Sequence, residues 1–169
     1  MRRVVVPVTL VTLVLVAVQL DVFSSLRFAG AVVMIVWLWP FCVGLTGATS
    51  LALYSATLSG VFFDTHSPTP FGLALVVALV LAWFASRLGR EGIGDLDSAA
   101  WWVTPVLAAV AGFLAPLLFV AAGVLALHGS MWRNGLLAAM TVNAVAFFVL
   151  ARPAARLARW TSGQRAVRR

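Results

Sequence analysis

The sequence predicts an all-α integral membrane protein, and three observations lead to that fold class: the composition, the placement of the charges and the lengths of the apolar runs. Hydrophobic residues make up 63% of the 169 residues and charged residues 10%, whereas soluble proteins have about 45–50% and about 25%. A soluble globule of this size needs a polar shell that so few charges cannot form. Soluble enzymes, disordered tails and disulfide-stapled secreted domains are therefore excluded.

The charges gather between the apolar runs. Three charged residues lie between positions 4 and 86, and Arg133 is the one charged residue between positions 99 and 151. The chain has 12 basic and 5 acidic residues and a net charge of +7, and every basic residue is arginine. Because the arginines flank apolar spans instead of covering one face, they favour a role in membrane orientation, and no nucleic-acid partner is predicted.

The apolar runs divide into six membrane spans. A bilayer core requires about 20 apolar residues in a helix. The first run is expected to be a retained anchor rather than a signal peptide, since no A-x-A pattern follows it. The stretch from 28 to 63 would form a helix of about 54 Å, so it is expected to turn back at the segment from Gly44 to Gly47. The predicted spans are 4–20, 28–43, 47–63, 71–88, 101–127 and 135–151, and a basic cytoplasmic tail follows at 152–169.

Prolines raise one open question about the fifth span. It contains Pro105 and Pro116 and is longer than one crossing requires. We expect one tilted and kinked helix. A re-entrant break near Pro116 is the alternative.

The arginines predict the orientation of the bundle. With six spans and both termini in the cytoplasm, ten arginines lie inside, and Arg27 and Arg133 lie outside. Cytoplasmic loops are enriched in basic residues, so this arrangement is favoured. Five spans would give a less asymmetric distribution and would need the 54 Å helix, a length of about 36 residues.

Small residues recur every fourth position in the third span. Helices in lipid associate where small side chains permit close backbone approach. This ladder is expected to pack against neighbouring helices of the same chain, with a separate membrane partner as the alternative. Its members are Ala48, Ala52, Ala56, Gly60 and Asp64, with Ser55 and Ser59 beside them.

Two polar side chains within or at the ends of the spans have structural rather than chemical roles in this interpretation. Asp64 is expected to organise the turn at 64–70, because aspartate accepts hydrogen bonds from the backbone that follows it. Asn143 lies deep in the sixth span and is expected to bond to a neighbouring helix.

Candidates for chemistry are few. His66 and His128 fall in predicted outer loops, and two histidines without further ligands make a poor metal site. Cys42 is a single cysteine in an apolar stretch, which indicates a buried hydrophobe. The sequence contains no nucleotide-binding or hydrolase motif. We therefore predict no enzyme activity, no cofactor and no metal.

The basic tail begins with arginines that share a helical face. Arg152, Arg156 and Arg159 are spaced by four and three residues. Contact with anionic lipid headgroups is the expected role. Docking of an acidic cytoplasmic partner is the alternative.

The segment from Gly60 to Leu75 resembles the signature of the MreD family of rod shape-determining membrane proteins. In that signature a glycine and an aspartate four residues apart close one span, and a short Ser/Pro turn leads into Pro-x-Gly and the next apolar helix. The matching positions here are Gly60, Asp64, Pro70 and Gly72. Chain length, six spans and a basic tail also resemble the family, so the chain is similar to a divergent member.

The resemblance implies a non-enzymatic scaffold subunit of the cell-elongation complex in a bacterial plasma membrane. The implied role is support of cell shape and side-wall peptidoglycan synthesis. The implied partners are an MreC-like membrane protein, the MreB-type cytoskeleton, and a glycan polymerase with its transpeptidase. The implied fold is similar to that of the S components of energy-coupling factor transporters.

The same fold offers a rival function, a substrate-capture S component for a vitamin or micronutrient. Two features disfavour it. S components present an Ala-x-x-x-Ala face on their first span, whereas the span at 4–20 contains only Ala17. A vitamin pocket also needs several convergent polar groups, and the spans offer few beyond Asn143 and Gln19.

Overall fold

The computed structural model describes residues 2–23, 25, 27–28, 30–68, 70–91, 102–127 and 135–163. Within these ranges the chain is mostly helical, which confirms the helical class predicted from composition. The elements are α1 (Arg2–Val18) with a π-helical turn (Gln19–Phe23), strands β1 (Arg27–Phe28) and β2 (Ala31–Val32), and helices α2 (Ile35–Leu45), α3 (Thr49–His66), α4 (Leu73–Arg90), α5 (Val103–Leu127) and α6 (Leu136–Thr161).

Four of the described helical segments are long and apolar enough to cross a membrane. They are Val4–Phe23, Leu73–Arg90, Val103–Gly123 and Leu136–Thr161. Helix α2 is apolar but has only 11 residues. Helix α3 is long enough, with 18 residues, but seven of them carry a hydroxyl group. It is therefore more polar than the four candidate spans and is not one of them. The membrane character predicted from the composition is therefore confirmed.

Helix α2 is the centre of the bundle. All of its 11 residues are buried, and it contacts each of the other five helices. The surrounding helices contact one another in the order α1, α3, α4, α5, α6 and back to α1. A helix that is apolar on every side has no face suited to water and is stable only inside a larger assembly. The fold is thus a ring of five helices around a short central one.

The bundle has two chemically different ends. Helices α2, α4 and α6 finish at one end, where Gly89 lies against Leu45 and Gly163 lies near Val4. We call this the arginine end, because Arg87, Arg90, Arg152, Arg156 and Arg159 lie on the last turns of α4 and α6 there. Asp64 and the start of α4 lie at the opposite end, which we call the Asp64 end.

Glycines permit close helix crossings, among them those of α2 with α4 and of α5 with α6. A Cβ atom at Gly44 in α2 would lie 2.8 Å from both the carbonyl oxygen of Ala82 and Cβ of Ala85 in α4. A Cβ atom at Gly112 in α5 would lie 2.8 Å from Cγ of Phe147 in α6. Side chains at these positions would hold the helices apart, so the missing Cβ atoms bring the backbones into contact.

The second predicted span is wrong in its first part. Residues from 28 onward were expected to be helical, but Arg27–Phe28 and Ala31–Val32 pair as an antiparallel ribbon. Gly30 turns the chain between the strands with a φ of +80°. Helix α2 begins only at Ile35, after an extended stretch. The turn to α3 falls where it was predicted, with Gly47 at a φ of +78°.

Helix α5 lies within its predicted span, whereas α6 continues beyond the end of its predicted span. Helix α5 continues through Pro116 without a re-entrant break. Helix α6 extends to Thr161 with Pro153 inside it, so the tail predicted from 152 begins as helix. Residues 92–100, His128 and the last six residues lie outside the described residues.

Replacing Gly112 by alanine is expected to destabilise the bundle, although alanine is the better helix former. In an unconstrained helix interior this change stabilises by about 1 kcal/mol. Here the methyl group would lie 2.9 Å from the carbonyl carbon of Asn143, and separating α5 from α6 costs about 1–3 kcal/mol. The free energy of unfolding in a detergent titration measures the outcome.

Gly135→Ala is the matched control, because no atom of the described residues lies within 4 Å of the added methyl group. It should change the free energy of unfolding by less than about 0.5 kcal/mol. A Gly112→Ala protein at least as stable as the wild type would contradict the close crossing.

Candidate functional site

The small-residue ladder of α3 faces the interior of the bundle. Ala52, Ala56, Gly60 and Asp64 are all buried, and Ala48 lies half-buried at the N-cap. The helix contacts α1, α2 and α4 of the same chain. The ladder therefore packs against helices of the same chain, which was the expected arrangement, and not against a separate membrane partner.

The serines beside the ladder bond to their own helix. The Ser55 hydroxyl donates to the carbonyl oxygen of Ala52 at 2.9 Å, and the Ser59 hydroxyl donates to that of Ser55 at 2.6 Å. Both side chains are buried. Because their hydroxyl groups are satisfied locally, this face of α3 can bury polar residues without a distant partner.

Gly60 brings α3 and α4 together at the first turn of α4. A Cβ atom at Gly60 would overlap Cα of Leu75 and would lie 3.0 Å from the backbone nitrogen of Leu75. No other residue type fits this position without moving the neighbouring backbone.

Asp64 caps α4 from the neighbouring helix. Its side chain is 4% exposed. One carboxylate oxygen accepts hydrogen bonds from the backbone N–H groups of Gly72 at 2.9 Å and Leu75 at 3.1 Å, and the other accepts from Ala74 at 3.1 Å. The first N–H groups of a helix have no partner within it, and the positive end of the helix dipole favours a carboxylate. Asp64 supplies both the missing hydrogen-bond acceptors and the negative charge.

The remaining positions of the motif shape the chain around this cap. Gly72 is the N-cap residue of α4, has no side chain that could cap the helix, and adopts a φ of +101°. The carbonyl oxygen of Pro70 accepts from the N–H of Leu73 at 3.4 Å. The four motif positions thus converge on one feature, which we call the α3–α4 junction. Asp64 was expected to organise the turn at 64–70. The three hydrogen bonds that its carboxylate accepts come instead from Gly72, Ala74 and Leu75, which lie beyond that turn.

Asn143 holds the extended stretch that leads into α2. Its side chain is 1% exposed. Its oxygen accepts from the N–H of Met34 at 2.7 Å, and its nitrogen donates to the carbonyl oxygens of Val32 at 3.1 Å and Ala139 at 2.9 Å. The oxygen and the nitrogen of the Asn143 amide therefore both have hydrogen-bond partners. Two of these bonds go to backbone outside any helix, whereas a helical neighbour was expected.

Gln19 contributes to the same region and was not among the predicted site residues. It lies at the start of the π-helical turn and is 1% exposed. Its side-chain nitrogen donates to the carbonyl oxygen of Val33 at 3.0 Å. The sequence feature that could have indicated Gln19 is its position as an amide side chain at the end of an apolar run. Nothing in the sequence shows that this amide meets the same backbone stretch as Asn143.

The side chains of Asn143 and Gln19 bond to backbone groups of the extended stretch at 32–34. An unpaired backbone group in an apolar interior costs several kcal/mol in lipid, so extended backbone persists there only where the protein supplies partners. We call this arrangement the amide clasp. It consists of Asn143, Gln19 and the backbone of Val32, Val33 and Met34.

The arginines predicted to share a face do so at the end of α6. Arg152 and Arg156 are exposed and Arg159 is half-buried. Small side chains occupy the buried face of this helix, at Ala151, Ala155 and Ala158. This segment is therefore amphipathic, with a guanidinium surface directed away from the bundle.

The predicted candidates for chemistry are not brought together among the described residues. His66 is exposed, and its Nδ1 lies 2.9 Å from the carbonyl oxygen of Phe62. Cys42 is buried, with its sulfur 4.0 Å from the carbonyl oxygen of Ala151. Over the described ranges, no group of three or more His, Cys, Asp or Glu side chains could hold a metal ion. The arrangement that the described residues do form connects helices to one another.

Comparison with known proteins gives no match. No family model, no curated protein and no solved structure matches this chain. The α3–α4 junction and the amide clasp are therefore interpreted from their own geometry.

Gly60→Leu is expected to destabilise the protein more than Asp64→Asn does. A leucine at Gly60 displaces the first turn of α4 and with it the donors to Asp64, a loss we expect to exceed about 3 kcal/mol. Asparagine at Asp64 keeps one acceptor oxygen but loses the charge, which costs about 1–3 kcal/mol. Thermal unfolding in detergent measures both variants.

Val61→Leu, one residue along α3 and only half-buried, is the control and should leave the unfolding midpoint nearly unchanged. If Gly60→Leu unfolds at the same temperature as the wild type, the backbones of α3 and α4 are not in contact at Gly60.

Asn143→Leu is expected to release the extended stretch before α2. The side chain keeps a similar volume but leaves the N–H of Met34 and the carbonyl oxygen of Val32 unpaired, at about 1–3 kcal/mol for each group. Amide hydrogen exchange at Met34 should accelerate together with a loss of stability.

Thr141→Val serves as the control on the same helix, because in the described part of the chain the Thr141 hydroxyl bonds to the carbonyl oxygen of Leu137 alone, on an exposed face. If Asn143→Leu leaves exchange at Met34 as slow as in the wild type, the amide clasp does not hold this backbone.

Proposed function

We propose that this chain is a non-enzymatic membrane scaffold subunit of the bacterial cell-elongation complex, which supports cell shape and side-wall peptidoglycan synthesis by binding an MreC-like membrane protein. The observation that carries the proposal is the convergence of Gly60, Asp64, Pro70 and Gly72 on the α3–α4 junction. These are the positions that match the MreD-like signature.

The use of the buried polar groups supports a scaffold. Asp64 and Asn143 are both buried and both bonded to backbone of the same chain. A catalytic or transport group must reach a substrate, whereas these side chains are committed to fixing the relative positions of helices. The large exposed side chains are mainly apolar, at positions such as Val110, Phe148 and Val149. They suit contact with lipid or with other membrane helices.

We further propose six crossings. Helix α2 extends about 16.5 Å at 1.5 Å per residue, and the four extended residues 31–34 add about 13 Å. Together they match the roughly 30 Å hydrocarbon core of a bilayer. Helix α3, with its 18 residues, extends about 27 Å. Each of these two segments is therefore long enough to serve as a crossing beside the four apolar helices.

Both termini are proposed to lie in the cytoplasm, with the arginine end on that side. Arg87, Arg90 and the arginines of α6 follow the positive-inside pattern. Three tryptophans near the same end, Trp83, Trp102 and Trp160, are about half exposed or more. Exposed tryptophans are typical of the interface between hydrocarbon and water, so they support a membrane boundary at this level.

The proposed partners follow from the same function. An MreC-like membrane protein is the direct partner, and the MreB-type cytoskeleton and a glycan polymerase with its transpeptidase belong to the same complex. Anionic lipid is the proposed contact of Arg152, Arg156 and Arg159, whose exposed guanidinium surface on α6 favours negatively charged headgroups.

The test is a deletion of the gene in a rod-shaped host with co-isolation of the tagged protein. We expect rounded or swollen cells and co-purification of the MreC-like protein. A copy carrying Gly135→Ala should restore rod shape, whereas a copy carrying Gly60→Leu should not, because the α3–α4 junction is disrupted. Normal rods after deletion, with no co-purified MreC-like protein, would refute the proposal.

One observation favours the alternative of an S component. Oε1 of Gln19 and Nε1 of Trp37 are buried and have no hydrogen-bond partner among the described residues. Buried polar groups normally have partners, so these two atoms are available to a small polar molecule. Saturable vitamin uptake, or vitamin retained by the purified protein at micromolar concentration, would replace the scaffold proposal with this one.

A further inference from the structure

The outward face of α3 is polar along most of its length. Helix α3 lies between α1 and α4 in the ring and contacts both of them and α2, so one face is left uncovered by the described part of the chain. Residues with hydroxyl groups recur on that face at spacings of four, three and eight positions, which return to nearly the same side of a helix. We call them the hydroxyl face of α3, and all of its members are exposed: Ser50, Tyr54, Thr57 and Thr65.

The other helices of the ring present apolar side chains to the outside. In the described ranges, every exposed residue of α1 and of α5 is apolar, and those of α4 are apolar as far as Phe84. Helix α6 exposes the hydroxyl group of Thr141 among apolar residues before its arginines begin. Apolar faces suit acyl chains, which form no hydrogen bonds, whereas a row of hydroxyl groups suits a polar neighbour. The hydroxyl face is therefore chemically distinct from the rest of the outer surface.

The two hydroxyl groups nearest the middle of α3 have used their protons within the chain. Thr57 Oγ1 donates to the carbonyl oxygen of Leu53 at 2.9 Å. Thr9 Oγ1 in α1 donates to the carbonyl oxygen of Val5 at 2.8 Å, so the proton in the 3.0 Å bond between Tyr54 and Thr9 comes from Tyr54. A hydroxyl group has one proton and two lone pairs. The oxygens of Tyr54 and Thr57 can therefore accept further hydrogen bonds but have no proton left to donate.

A partner for this face must bring hydrogen-bond donors. Acyl chains have none. A second copy of this chain would present the same two oxygens with their protons already used, so two such faces do not complement each other. A membrane helix with asparagine or glutamine does complement this face, because a side-chain amide has two N–H donors and associates with polar groups on neighbouring helices in lipid.

We infer that the hydroxyl face of α3 binds a transmembrane helix of another protein, whose side-chain amide donates hydrogen bonds to the oxygens of Tyr54 and Thr57. The inference rests on the part of the proposed function that places α3 across the membrane, where these oxygens would otherwise face hydrocarbon. It specifies the surface and the chemistry by which a membrane partner attaches, and it holds for any protein that supplies such a helix.

The test measures binding of synthetic transmembrane peptides to the labelled full-length protein in phosphatidylcholine vesicles by energy transfer. One peptide is a leucine–alanine helix with a single central asparagine, and the other has leucine at that position. We expect the asparagine peptide to bind to the wild type and the leucine peptide to give only the transfer of random mixing. Thr57→Val keeps the shape of the side chain but removes the acceptor. It should weaken binding about threefold, the contribution of one hydrogen bond between membrane helices.

Thr141→Val is the matched control. Thr141 is also exposed, and its hydroxyl also donates to the carbonyl oxygen four residues earlier, but it lies on α6. This variant should bind the asparagine peptide as the wild type does. Tyr54→Phe removes the second acceptor of the hydroxyl face and should weaken binding to a similar extent as Thr57→Val. An intact thermal transition in each variant serves as the folding control.

Equal binding of the two peptides, or wild-type affinity of Thr57→Val for the asparagine peptide, would overturn the inference. So would a loss of affinity in Thr141→Val as large as that in Thr57→Val. Energy transfer between two labelled copies of the protein that Thr57→Val abolishes would identify a second copy as the occupant and would also overturn it. None of these measurements involves an MreC-like protein, so co-isolation of that protein tests the scaffold proposal separately.

Discussion

A partly buried stretch of extended backbone, residues 31–34, is the constraint on which the rest of the structure depends. It leads into α2, the central helix, whose 11 buried residues are too few to cross a bilayer alone. Extended backbone cannot satisfy its own hydrogen bonds, so it is stable in an apolar interior only where other groups bond to it. Asn143 and Gln19 provide those groups. The ring of five helices therefore encloses the central segment and also supplies the polar contacts that allow it to be there.

The α3–α4 junction follows the same principle at the Asp64 end. A side chain from one helix bonds to backbone groups that the neighbouring segment cannot pair by itself. A glycine nearby then lets the two backbones meet, at Gly60 against Leu75 and at Gly112 against Asn143. At the α3–α4 junction, the hydrogen bonds of Asp64 and the close approach at Gly60 both involve the first turn of α4. This coupling favours one arrangement of helices over the alternatives, which is the property a scaffold needs.

The two ends of the bundle differ in what they offer to their surroundings. At the Asp64 end the buried carboxylate and the amides are occupied mainly by backbone groups of the same chain, with Oε1 of Gln19 as an exception. At the arginine end, guanidinium groups and tryptophan rings are exposed on α4 and α6. Internal shape and external attachment thus lie at opposite ends.

The sequence by itself determined the helical membrane class, the turn before Gly47 and the spacing that places Gly60 and Asp64 on one face of α3, whereas Pro70 and Gly72 were indicated only by the resemblance to the MreD signature. These depend on local properties, which are the length of apolar runs, the position of glycine and the spacing of small residues. Only the tertiary structure decided that α2 starts at Ile35 instead of near 28, that the ladder of α3 faces inward, and that Asp64 reaches Leu75. The stretch from 28 is apolar enough for a helix, but its backbone meets Asn143, which is 109 residues from Met34 in the chain. A hydrogen bond between such distant residues leaves no periodic signal in either segment, so local patterns could not predict it.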